Sequence, residues 1–160
     1  MDYKIRDIYE SDLDSLATLF VSAFKPEDTG EYWDYKSAHA LMKYWYKRSP
    51  DRLKILATDD LGNIVGGFFA DIKPWWDGAR LIDGEFFVHT PHQRQGIGSM
   101  LLKETLIRAK EYYNAVCYEA ITFEPDTKHP LSWYSKIGFK RQSDLLVING
   151  NIDCVLENLE

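Results

Sequence analysis

Apolar positions change their period several times along the chain, and each change marks an element. Tyr3 to Ile8 read as a first strand. Leu13, Leu16, Phe20 and Ala23 then recur at helical spacing behind Ser11-Asp12-Leu13-Asp14, a capping-box pattern. Lys25 to Glu31 holds Pro, Gly and three acids and reads as a loop. A second helix sets Ala38, Leu41, Met42 and Trp45 on one face and ends before Pro50. Lys54 to Thr58 and Ile64 to Lys73 flank Asp59-Asp60-Leu61-Gly62-Asn63, a hairpin signal. Pro74-Trp75-Trp76-Asp77-Gly78 is a second turn, followed by a strand over Arg80 to His89. Leu102, Leu106, Ala109 and Tyr113 form the buried stripe of a helix. Val116 to Phe123 reads as a strand and Leu131 to Ile137 as a short helix. Phe139 to Leu145 and Asp153 to Leu159 read as two closing strands. The predicted order is β-α-α-β-β-β-α-β-α-β-β, a mixed α/β fold.

Composition narrows the class. A chain of 160 residues fits one domain, 1–160, and is long enough for a real core. Hydrophobic residues make up 45% and aromatic residues 14%, which excludes a disordered chain. The net charge of −6 argues against nucleic acid as a partner, because phosphate backbones call for a basic face. No apolar run reaches membrane-spanning length, and Met1-Asp2-Tyr3-Lys4 opens no signal segment. Cys117 and Cys154 are too few for a disulfide framework, so a reducing cytoplasm is the expected location.

Chemistry concentrates in Gln93-Arg94-Gln95-Gly96-Ile97-Gly98-Ser99, between the strand-like run Glu85-Phe86-Phe87-Val88 and a helix-like run from Met100. Glycine lets a ligand approach the backbone. Free N–H groups at the start of the following helix favour an anion, and Arg94 adds a permanent cation. The pattern predicts a phosphate or pyrophosphate cradle. An NTPase loop would need Gly-Lys-Ser/Thr, whereas Gly98 is followed by Ser99 and Met100. A dinucleotide fingerprint would need a third glycine at Leu101. His39, His89, His92 and His129 show no zinc-ligand spacing, so no metal is expected.

Val88-His89-Thr90-Pro91-His92-Gln93-Arg94-Gln95-Gly96-Ile97-Gly98 resembles the acetyl-CoA loop of the GNAT superfamily of N-acetyltransferases, with its proline one place later than usual. Trp133-Tyr134-Ser135-Lys136-Ile137-Gly138-Phe139 is similar to a second segment of that family, and the likeness runs from Ile5-Arg6 to Val155-Leu156. The resemblance implies a GNAT fold, with a mixed, mostly antiparallel twisted sheet of six to seven strands and about four helices. It implies an acyltransferase that moves an acetyl group from acetyl-CoA to a primary amine by direct attack in a ternary complex. It places Phe86, Phe87, Val88, Gln93, Arg94, Gln95, Gly96, Ile97, Gly98, Ser99, Thr127 and Tyr134 at the cofactor. Thr127 stands where many relatives carry Asn.

The resemblance makes Tyr134 the general acid for the leaving thiolate, because a phenol of pKa roughly 10 stays protonated at neutral pH. The same residue could instead pack its ring beneath the cofactor. Glu85 is the expected base, with Asp83 and Glu119 as alternatives, and a bulge in the strand would exchange which side chains face inward. On the acceptor side the resemblance points to the first two helices and the hairpin. There Glu31, Tyr32, Trp33, Asp34, Trp75, Trp76 and Asp83 combine carboxylates with aromatic faces, which attract ammonium groups. A small cationic amine is the expected acceptor, and a homodimer is compatible with the sequence. The alternatives are a module that binds CoA thioesters without turnover and an enzyme acting on a peptide N-terminus.

Overall fold

The computed structural model describes residues 2–122, 131–142, 147 and 149–159, with the backbone alone at Asp28, Asp83 and Glu157. The chain divides into two compact units, Met1–Thr122 and Phe123–Glu160. Five strands of the first unit pair in the order β1 (Lys4–Asp7), β2 (Lys54–Thr58), β3 (Ile64–Lys73), β4 (Ala79–Val88) and β5 (Ala115–Glu119). The first four are antiparallel, whereas β5 runs parallel to β4. The sheet is therefore mixed and mostly antiparallel, and the parallel step is made by a long helix, α4 (Ile97–Tyr113).

Every residue of β2 is buried, and so is β3 from Val65 to Ala70, because the sheet is covered on both faces. Neighbouring phenylalanines mark the two sides. Phe69 joins Leu16, Phe20, Met42 and Phe87 in a cluster with α1 (Leu13–Ala23) and α3 (Tyr35–Arg48). Phe68 stacks instead on Phe86, at 4.6 Å between ring centroids, on the side of α4.

Local chemistry sets the helix ends. Asp34 caps α3, its Oδ1 accepting the Ser37 N–H at 2.7 Å, and Lys47 and Arg48 lie in the last turn. The expected box at Ser11 does not form. Asp12 instead accepts from Arg6 at 2.7 and 2.9 Å and from the Tyr9 N–H at 2.8 Å, which ties β1 to α1. One turn of helix, α2 (Pro26–Thr29), stands where a loop was expected, because Pro26 starts it and Gly30 at φ 74° closes it.

The second unit holds α5 (Leu131–Lys136) and α6 (Ile152–Glu157). Gly138, at φ 103°, ends α5 and folds Phe139 back onto Tyr134, with the Phe139 N–H donating to the Tyr134 carbonyl at 3.0 Å. The strand expected over Asp153 to Leu159 is instead helix α6. Asn151 Oδ1 accepts the Cys154 N–H at 3.1 Å and nucleates it, and Val155 and Leu156 side by side break a strand alternation. Phe139 and Lys140 are not in a strand, and residues 143–145 of the other expected strand lie outside the described residues.

Candidate active site

Pairing between β4 and β5 stops at Ile82–Glu119, yet β4 runs on to Val88. The carboxyl end of β4 leads straight into the glycine loop. Ligands in open sheets with parallel strands gather at such carboxyl ends.

The loop itself is built of tight, mutually braced turns. His92 and Gln93 N–H donate to the His89 and Thr90 carbonyls at 2.8 and 3.2 Å. Gln93 Nε2 donates to the Val88 carbonyl at 3.0 Å, and Thr90 Oγ1 to the Ser22 carbonyl at 3.2 Å. Arg94 and Gly96 both take left-handed backbone, at φ 61° and 88°. The helix then opens, and its first carbonyl bond is Met100 N–H to Gly96 O at 3.0 Å. The N–H groups of Gly96, Ile97, Gly98 and Ser99 find no acceptor among the described residues. A Cβ at Gly96 would meet nothing within 4 Å, and one at Gly98 would make ordinary contact with Phe86 at 3.5 Å. Internal packing therefore leaves the space over both glycines open, which fits a phosphate drawn onto the N–H groups. The Arg94 side chain is exposed at this loop, with no hydrogen bond or ion pair among the described residues. Burial, and then the adjacent His92 ring, push His89 below the usual histidine value, so it adds no charge at neutral pH.

The expected cofactor residues separate by face. Phe86 and Val88 turn toward Gly98, whereas Phe87 is 4% exposed and packs edge-on against Phe20 at 5.2 Å. The Phe87 side chain is therefore core. Thr127 lies outside the described residues. A bulge does occur in β4: Phe69 faces Glu85 and Ala70 faces Asp83, which leaves Gly84 as the extra residue. It must be glycine, because a Cβ there would lie 2.7 Å from the Trp45 ring and 2.8 Å from the Phe69 carbonyl. The bulge sets Glu85 opposite Phe69, on the α1–α3 face of the sheet. The Asp83 side chain is not described. Glu119 accepts from Lys73 at 2.7 Å and from Arg80, and these bonds, Lys73 first, hold it below the usual carboxylate range. It is a poor base. Tyr134, 8% exposed, packs against Trp133 at 4.9 Å and Phe139 at 5.0 Å in the second unit.

The acceptor candidates form two groups that no hydrogen bond, ion pair or ring contact joins among the described residues. In the first, Trp33 Nε1 donates to Glu31 at 2.8 Å and its ring packs edge-on against Phe20 at 5.2 Å. Asp34 is occupied as the α3 cap, and Ser37 holds its carboxyl below the ordinary value. Tyr32 is 88% exposed. In the second, Trp75 lies under Lys73 at 4.5 Å and Arg80 at 5.4 Å, while Trp76 is 87% exposed.

Sequence reasoning did not anticipate the Lys73–Arg80–Glu119–Asp77 network that pins β3, β4 and β5 together. It is made from three strands, so no single motif announces it. Also unanticipated is an open, polar groove of about 590 Å³ beside α1, walled by Arg6, Asp12, Thr18, Ser22, Asn63 and His89. Among the described residues no cluster of three or more His, Cys, Asp or Glu could hold a metal ion, and no helix is long and apolar enough to cross a membrane.

Residues 50–141 match the family model of the acetyltransferase (GNAT) domain. No curated protein matches the sequence. Among solved structures, an integron cassette protein from the mobile metagenome of V. cholerae superposes with a TM-score of 0.76 at 15% identity, covering 100% of this chain and 99% of that one. A transcriptional regulator from Bacillus halodurans gives 0.71 at 22% identity, with 93% and 100% covered. An aminoglycoside antibiotic 6'-N-acetyltransferase from Acinetobacter haemolyticus gives 0.69 at 16% identity, with 94% and 99% covered. At these identities the likeness is one of fold.

Proposed function

The chain belongs to the GNAT acetyltransferases and is an acyltransferase, and from that premise we propose that it acetylates the primary amine of a small cationic acceptor with acetyl-CoA. The observation that carries this reading is the row of uncommitted N–H groups at Gly96 to Ser99, beside Arg94 and just past the carboxyl end of β4. Arg94 and those donors would hold the pyrophosphate. The end of β4 from Phe86 to Val88 would lie along the CoA arm and aim the thioester toward the bulge. Glu85, set by that bulge, would take a proton from the acceptor ammonium, directly or through water, and free the lone pair for attack on the acetyl carbon. As the carbon–sulfur bond breaks, the Tyr134 hydroxyl would donate its proton to the departing sulfur. The family match spans both compact units, which supports reading residues 1–160 as one domain. The fold it shares with aminoglycoside acetyltransferases, together with the net charge of −6, supports a cationic acceptor.

Release of free CoA thiol, followed over a panel of amines with acetyl-CoA, tests the proposal. Thiol release in step with N-acetyl product on polyamines, amino sugars or basic amino-acid derivatives is expected. Acetyl-CoA binding without thiol release on any amine would mark a binding module instead. Release on peptide N-termini alone would move the acceptor class to proteins.

A further inference from the structure

We propose that Tyr3 is a positioning residue for the anion loop: its hydroxyl, acting through Gln95, sets the donors that receive the pyrophosphate. The inference rests on reading that loop as the acetyl-CoA site. Tyr3 lies 92 residues from Gln95 in sequence, yet its hydroxyl donates to Gln95 Oε1 at 2.5 Å. The same oxygen lies 3.4 Å from His92 Nδ1, and the two rings meet edge to face at 6.2 Å. The other end of the Gln95 amide is held as well, with Nε2 donating to the Pro91 carbonyl at 3.1 Å. Both ends of the one side chain that immediately precedes the Gly96 cap are therefore fixed.

The loop needs such a restraint. Arg94 sits at φ 61°, a backbone region that side chains with a Cβ disfavour, and its own side chain is tied to nothing among the described residues. The bonds from Thr90 and Gln93 brace the start of the loop. The bond from Tyr3 holds the residue next to the cradle. Tyr3 can serve as a fixed post because the next residue, Lys4, begins β1 and pairs with Thr58 in the sheet. A cradle held in place before the ligand arrives spares the ordering cost at binding.

Tyr3→Phe keeps the ring beside His92 and removes only the hydroxyl. By calorimetry its Kd for acetyl-CoA should rise about three- to tenfold, while KM for the amine at saturating acetyl-CoA stays unchanged. Gln95→Ala, which also deletes the bond to Pro91, should raise the Kd by at least as much, and the double variant should lose little more than Gln95→Ala alone, because the Tyr3 bond is already gone there. Unfolding of the ligand-free protein separates this role from a structural one, since its midpoint should move little. Wild-type Kd in Tyr3→Phe, or fully additive losses in the double variant, would overturn the proposal. A wild-type protein that takes up no acetyl-CoA would overturn the reading of the loop and this inference with it.

Discussion

The anion loop and the segment entering α3 are both dense in polar and charged groups, but they use them in opposite ways. In the segment, Glu31 holds the Trp33 indole, Asp34 caps a helix, and Trp33 closes over Phe20. Folding has already consumed most of its bonding capacity. In the loop, folding consumes Thr90, Gln93 and Gln95 as braces and leaves the N–H groups of Gly96 to Ser99 and the Arg94 guanidinium uncommitted. The β3–β4 turn follows the first pattern, because Trp75 already stacks under two of the chain's own cations. What marks a binding surface is the hydrogen-bonding capacity that remains after folding, not the density of polar residues.

The sharpest test of that contrast lies at Gly98, where a Cβ meets only ordinary contacts within the protein. Gly98→Asp should leave the ligand-free melting point nearly unchanged and abolish the stabilisation by acetyl-CoA, worth about 2.7 kcal/mol at a hundredfold excess over Kd in the wild type. A retained thermal shift would break the loop assignment. Outside both regions, Tyr134→Phe should lower kcat about a hundredfold or more and leave acetyl-CoA affinity within about twofold. Full kcat in that variant would mean that the thiolate leaves without this acid.

Gly84 is the counterpart of Gly98, a glycine demanded by packing. Gly84→Ala must displace the Trp45 ring or the Phe69 backbone. It should destabilise by about 1–3 kcal/mol, visible in thermal melts without any ligand. Asp12 gives a similar contrast for charge. Its bonds to Arg6, then to the Tyr9 N–H, hold its carboxyl below the ordinary value. The folded pKa is lowered, so this stability is present above the unfolded value near about 3.9 and disappears as pH falls through the folded one. Asp12→Asn should cost about 1–2 kcal/mol at pH 7, and denaturant melts should show the gap to wild type closing in acid.

The smallest effect is expected on the acceptor side. Glu31→Gln with Asp34→Asn keeps oxygen acceptors for Trp33 and Ser37 and removes only charge. KM for the best amine should rise about two- to fivefold at low salt and the difference should shrink as salt is added, with KM for acetyl-CoA unmoved. An amine KM indifferent to both changes would show that this segment is purely structural.

Much of the fold could be read from period and punctuation alone. The Asp59–Asn63 turn and the flanking strands were legible because Asp59 gathers the Leu61 and Asn63 N–H groups locally, at 3.0 and 2.8 Å. Helix α3 was legible from its apolar stripe and Pro50, and the glycine loop from spacing that competing phosphate motifs do not share. All these depend on residues close in sequence, so sequence determines them. The closing segment was misread because a single asparagine cap outweighed a weak alternation. Tertiary structure alone decided the rest. The bulge that leaves Gly84 as the extra residue follows from fitting β4 against β3 and beneath Trp45, contacts that lie outside its local sequence. The capture of Glu119 by Lys73 and Arg80 and the reach of Tyr3 to Gln95 come from segments distant in sequence brought side by side. Which donors remain uncommitted depends on every partner the folded chain supplies, and that can be counted only once the chain has closed on itself.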